Sequence, residues 1–175
     1  MKALLASLTL LAASTALADE FQPVRTLGVE GALLPASYCR LDAPHSFNEI
    51  AADGFWTPTA KDLETPETYL RPHLISWHKD PLQIEPTAKD SPLRPRALRM
   101  QLGEIIARYM KYRRQYIGLI IRGHRYIYLN SFPADKSNSY MQRLLGASDG
   151  GSQYWQVLYS VDDAIFSELQ INGHG

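Results

Sequence analysis

The chain has 175 residues, 45% of them hydrophobic, and its 18 basic and 18 acidic side chains leave a formal charge of zero. That length suits one domain and that hydrophobic fraction suits a packed core, which excludes disorder throughout. A neutral chain also lacks the accumulated Lys and Arg on which affinity for phosphate backbones rests, so a general nucleic-acid binder is disfavoured.

Lys2 supplies a positive start, Ala3 to Ala13 a largely apolar run, and Ala16-Leu17-Ala18 small residues at both positions that set cleavage. The pattern predicts a signal peptide over residues 1–18, cut after Ala18, followed by a single α+β domain over 19–175 that is periplasmic or secreted. The apolar run falls well short of the roughly 20 residues that span a bilayer, and no later segment reaches that length, so no membrane span is expected. Cys39 is the single cysteine, which rules out an internal disulfide. Its neighbour Arg40 favours a reactive thiolate, whereas burial favours an inert thiol; burial is the default for an unpaired cysteine. No two of the five histidines stand at i, i+4, and there is no Cys-x-x-Cys. Neither a metal nor a cofactor is expected.

Asp19 to Pro92 reads as irregular, with one short helix announced by Thr57-Pro58-Thr59, where a Thr cap precedes Asp62 and Glu64. Leu63, Tyr69, Leu70 and Leu74 line one side of that helix, and Pro66 and Pro72 limit or kink it. Four prolines between Asp80 and Pro95 mark a surface connection. Arg96 to Tyr112 is the clearest helix, because Leu98, Leu102, Ile105, Ile106, Tyr109 and Tyr112 recur every three or four residues. Arg99, Glu104, Arg108 and Lys111 fall on its solvated side, where replacing Arg99 should cost little.

The period then changes to two. Gln115–Ile121 and His124–Asn130 flank Arg122-Gly123, which fits a two-residue hairpin turn that sets Ile121 opposite His124 and Ile117 opposite Tyr128. A polar stretch follows, and a second hairpin runs from Gln153–Tyr159 to Ile165–Ile171, with Ile165, Leu169 and Ile171 alternating with Phe166, Glu168 and Gln170. The sum is an α+β fold: a long helix packed on one face of a roughly four-stranded antiparallel sheet, after an irregular N-terminal segment carrying one short helix.

Gly54-Phe55-Trp56-Thr57-Pro58-Thr59, Arg113 to Gly118, Arg125 to Asn130, Asp149-Gly150-Gly151 and the closing Phe166 to Gly173 resemble a family of uncharacterised exported bacterial proteins, periplasmic or lipoprotein-like. The resemblance spans most of the mature chain and implies export without implying an activity. This chain departs from the lipoprotein members in having no cysteine at its cleavage site, so a lipid anchor does not carry over.

Charge and aromatics supply the candidate site. Between Arg94 and Arg125 nine basic residues face the single carboxylate of Glu104. Such a run is commonly a solvated face, but Arg113 and Arg114 at the junction of helix and strand suit an anionic group, because the guanidinium fork donates two parallel hydrogen bonds. If either is tied instead to a carboxylate of the chain itself, its loss should lower stability rather than binding. Tyr126, Tyr128 and Trp155 lie on strands, and those turned away from the helix would offer large contact area with a polar tip. Arg113, Arg114, Tyr126, Tyr128 and Trp155 are therefore the binding candidates. No catalytic residue is assigned: there is no nucleophile elbow, phosphate loop or zinc-protease motif, and Asp53, His45-Ser46 and Asp149 sit in turn-like contexts. The expected function is non-catalytic binding of a protein, peptide or glycan in the cell envelope, as an accessory, inhibitor or immunity-type protein. The competing reading is a small hydrolase acting on cell-envelope material.

Overall fold

The central hairpin follows the sequence pattern. In the computed structural model, which describes residues 20–42, 50–84, 93–135, 139–146 and 149–172, ten-residue strands pair antiparallel with Ile121 opposite His124, Leu119 opposite Tyr126 and Ile117 opposite Tyr128. Arg122 and Gly123 close the turn with φ of 51° and 80°, the doubly left-handed geometry whose twist matches that of the flanking strands. The expected signal peptide and His45-Ser46 lie outside the described residues.

The elements are β1 (Gln22–Thr26), β2 (Val29–Leu33), α1 (Ala36–Asp42), β3 (Gly54–Trp56), α2 (Glu64–Lys79), α3 (Leu93–Ala107), β4 (Tyr112–Ile121), β5 (His124–Pro133), β6 (Trp155–Ser160) and β7 (Ile165–Ile171). They confirm an α+β fold and correct its details. The sheet has seven strands and is mixed, in the order β1-β2-β4-β5-β6-β7, with β3 also paired to β4. The four strands expected from the sequence are β4 to β7. The N-terminal segment supplies the other three. β2 runs parallel to β4 opposite Arg114–Tyr116, and β3 runs antiparallel to it opposite Gly118–Ile120, so the two share one edge of β4 end to end.

Two helices, not one, cover the first face of this sheet. α3 stops at Ala107, and a short 3-10 turn at Tyr109–Lys111 leads into β4. α2 is 16 residues long despite its prolines. Pro66 falls in the first turn, where backbone N–H groups have no intrahelical acceptor, and Pro72 is exposed, so the carbonyl it leaves unpaired faces water. The core beneath the two helices contains Leu63, Leu70, Leu74 and Trp77 from α2 and the turn before it. Leu102 and Ile105 of α3 meet them over Ile127, Leu129, Val157 and Phe166 of the strands.

The opposite face carries a second core of Ala32, Leu34, Cys39, Ile117, Leu119, Tyr128 and Leu158, partly roofed by α1 and the 139–145 segment. Apolar side chains on both faces explain why β4 is almost wholly buried. Cys39 is buried here, and burial pushes its thiol up from 9.0 to about 12, so it stays neutral and inert near physiological pH. Gly118 is required by packing. A Cβ there would lie 2.3 Å from Trp56 O, in the space where the Trp56 indole crosses β4 to donate to Leu119 O at 3.2 Å and Tyr126 O at 3.1 Å. Among the described residues, no helix is long and apolar enough to cross a membrane.

Arg99 is exposed but not idle: its Nε donates to His78 O at 3.2 Å and its Nη2 to Lys79 O at 3.4 Å, serving the last carbonyls of α2. Denaturant unfolding of single alanine variants is therefore expected to rank them. Leu102→Ala and Ile105→Ala should each lose about 2–5 kcal/mol through lost burial and a cavity, and Arg99→Ala about 1 kcal/mol through lost hydrogen bonds. Equal losses at the three positions would contradict this packing.

Candidate functional site

The strand alternation that builds the cores also decides which candidate residues reach the surface. On β4, Tyr112, Arg114 and Tyr116 face α2 and α3, while Arg113, Gln115 and Ile117 face the other way; on β5, Tyr126 and Tyr128 share the second face. Trp155 points toward the helices and is fully buried, with its ring 5.7 Å from that of Tyr112. The five candidates thus divide: Arg114 and Trp155 lie inside the helical core, whereas Arg113, Tyr126 and Tyr128 belong to the far face.

Arg114 is completely buried and ion-paired through Nη1 to the equally buried Glu67 of α2. Tyr116 donates its hydroxyl to Glu67 Oε1 at 2.8 Å and Tyr109 donates to Oε2 at 3.4 Å. Burial by itself would lower the pKa of Arg114, but the Glu67 carboxylate holds it above the usual arginine value. Burial, reinforced by Glu67, likewise raises the Tyr116 hydroxyl well above its ordinary range. Among the described residues, Nε and Nη2 of Arg114 have no hydrogen-bond acceptor. The guanidinium instead lies over the rings of Tyr109 at 4.6 Å and Trp155 at 5.7 Å, a cation–π arrangement. Arg114 is thus committed to a partner within the chain. Arg113 is only partly exposed, pairs with Glu30 at 3.3 Å and lies 4.9 Å over the Tyr140 ring.

The surface feature of the far face is a groove of about 760 Å³ beside the β4–β5 turn. Ile121, Tyr126 and Leu158 form its apolar part, and Asp53, His124, Ser167 and Glu168 supply polar groups. Its outer wall exists because β7 carries a bulge. The β6–β7 register shifts between Gln156 and Leu158, and Glu168 adopts φ 51°. The extra residue breaks the expected alternation: Phe166, Leu169 and Ile171 all turn to the helical core, while Ser167, Glu168 and Gln170 line the groove. A left-handed conformation at a residue with a side chain is a local cost, and such costs concentrate where a fold presents a binding surface.

Within the groove, Asp53 accepts the backbone N–H of Arg122, and Asp162 beside it approaches His124 Nδ1 at 3.3 Å and accepts Arg125 N–H at 3.3 Å. Ser167 does not complete a nucleophilic site with His124. Ser167 is level with Leu158 and Tyr128 across the sheet, so His124 lies two strands and four residues away, on the order of 15 Å at ordinary strand spacings. Tyr128 is buried below the groove, and burial raises its hydroxyl pKa. Among the described residues, no group of three or more His, Cys, Asp or Glu is placed to hold a metal ion. Asp149 is exposed beside Gly150, which has φ 116° as a turn requires.

The sequence reading did not single out Glu67, Ser167 or Glu168. Glu67 had a signal, since Leu63, Glu67, Leu70 and Leu74 share one helical stripe, and a carboxylate on an apolar stripe needs a buried partner. The class these features define is an α+β protein with a seven-stranded mixed sheet, α2 and α3 on one face and a polar-rimmed groove on the other. No family model, no curated protein and no solved structure matches this chain.

Thermal melts of Arg113→Gln and Arg114→Gln separate the two neighbours. Losing Arg114 leaves Glu67 buried without its cation and should cost about 3–5 kcal/mol, enough to unfold a marginal domain. Losing Arg113, whose pair is partly solvated, should cost under about 1 kcal/mol. Similar melting temperatures for both variants would contradict the placement of Arg114.

Proposed function

We propose that this chain is an exported protein, cut after Ala18 and held in the periplasm or secreted, that binds an envelope partner through the groove on its far sheet face without transforming it. Export rests on the charged start, short apolar run and small-residue site, and on the resemblance to exported bacterial proteins. The observation that carries the binding reading is the groove itself: about 760 Å³, with an apolar part around Tyr126 and a rim of carboxylate, hydroxyl and imidazole groups. A concave surface of this volume that sets hydrogen-bonding groups beside apolar side chains is where ligands settle. An aromatic with a polar tip beside hydrogen-bonding groups suits a peptide or glycan more than a purely apolar ligand.

The absence of a converging nucleophile and base among the described residues of the groove favours binding over hydrolysis. Arg113 belongs to the same face but is held by Glu30 and Tyr140, so its role is to shape that face rather than to seize an anion.

Affinity capture tests the reading. Protein recovered from the producing envelope should begin at Asp19 by intact mass and retain a specific envelope component. The double variant Ser167→Arg, Glu168→Lys fills and recharges the groove from exposed or half-exposed positions, and should lose at least about tenfold in capture, equivalent to about 1.4 kcal/mol, with its melting temperature little changed. Capture that is unaffected by the variant would contradict the groove, and a product retaining Met1 would contradict export.

A further inference from the structure

The groove lies near one end of β4, and the other end of that strand carries a different surface. β2 runs alongside β4 with Gly31 opposite Arg114, which brings the β1–β2 turn beside the residues that precede β4. A Cβ on Gly28 would lie 3.2 Å from the terminal methyl of Met110. Leu27 is 64% exposed and Met110 62%, among the most exposed large apolar residues described. Leu27 has φ 50° and Gly28 φ 84°, the left-handed pair that a two-residue turn ordinarily fills with Asn-Gly. A leucine here is strained by its backbone and unrewarded by burial. Among the described residues nothing accounts for it.

Cations stand next to this apolar pair. Arg108 and Lys111 flank Met110, are exposed, and form no ion pair with any described residue. Together with Tyr112, Asp135 and Gln153 they line a cleft of about 660 Å³, in which Asp135 is the single carboxylate. The Tyr112 hydroxyl is already donated to Ser152 O at 2.7 Å. Because Tyr112 is opposite Pro133, the cleft and the apolar turn occupy the same end of the sheet.

We propose that this end of the sheet docks on an anionic lipid membrane, with Leu27 and Met110 entering the acyl boundary and Arg108 and Lys111 meeting the headgroup phosphates. Geometry favours a bilayer over a folded partner: two apolar side chains projecting from separate turns need a shaped cavity in a protein, whereas lipid closes around them unaided. The unpaired cations select anionic headgroups over zwitterionic ones. Two apolar side chains and two charges give weak, reversible, salt-sensitive attachment rather than permanent anchoring. β4 has ten residues, so the groove would stand roughly 30 Å above the surface at ordinary strand rise. The proposal is independent of what the groove binds.

Flotation of the signal-cleaved protein with vesicles tests it. Protein should float with phosphatidylcholine vesicles containing phosphatidylglycerol, stay behind with pure phosphatidylcholine, and detach as salt rises. Leu27→Asn relieves the turn strain and so should melt higher than wild type, yet its partition should fall about tenfold, as expected for loss of one inserted leucine. The double variant Arg108→Gln, Lys111→Gln should lose the preference for anionic vesicles. Wild-type protein that ignores anionic vesicles overturns the proposal, as does Leu27→Asn that floats like wild type. Stabilisation by inorganic phosphate without any vesicle binding would mark a small-anion site, and would also overturn it.

Discussion

The ion pair between Glu67 and Arg114 is the interaction on which the rest of the arrangement depends. Both side chains are fully buried, and removing two charges from water costs several kcal/mol per ion before any attraction is counted. Only close geometry and further hydrogen bonds offset that cost. Here Tyr116 and Tyr109 bring hydroxyls to the carboxylate, while Tyr109 and Trp155 lay rings against the guanidinium. These groups come from α2, the turn after α3, β4 and β6, so the pair fixes how the helical layer sits on the sheet. Apolar contacts alone would allow α2 to slide or rotate over the same strands. A buried charge with one partner does not.

With the helical layer fixed, the sheet can support two unlike surfaces. The β7 bulge keeps Phe166, Leu169 and Ile171 in the core while turning Ser167 and Glu168 toward the groove. At the opposite end, the strained Leu27 turn and the Arg108–Lys111 cleft leave apolar and cationic groups together in solvent. Both features depart from the locally cheapest choice, one through a left-handed Glu168 and the other through a left-handed, exposed Leu27. Local inconsistency of this kind is expected where a fold serves something other than its own stability.

The β4–β5 hairpin was legible to the residue, because strict period-two apolar spacing and an Arg-Gly turn leave few registers open. The N-terminal strands were not. β1 begins with a proline at its second position and turns through Leu27-Gly28 instead of a favoured pair, β3 has three residues, too few to show a period, and β2 pairs in parallel with a strand far along the chain. α2 was underestimated because Pro66 and Pro72 read as breakers, although one occupies the first turn and the other a solvated side. Tyr126 and Tyr128 share one face of β5 by simple alternation. The same alternation puts Arg114 in phase with Tyr112 and Tyr116, on the face toward the helices, so its burial is legible from the hairpin register. Its partner Glu67 is 47 residues away, and only the tertiary fold joins them. Trp155 is in phase with Val157 and Tyr159 along β6, all three in the helical core, so its burial follows from the alternation of β6 itself.

A double-mutant cycle in denaturant measures the coupling between Glu67 and Arg114. Glu67→Leu and Arg114→Leu each leave one buried charge without its counterpart, and the doubly substituted protein leaves none. The double variant is expected to be more stable than the sum of the two single losses implies, by about 2 kcal/mol or more. Strictly additive losses, or an Arg114→Leu variant as stable as wild type, would show that the pair does not organise this fold.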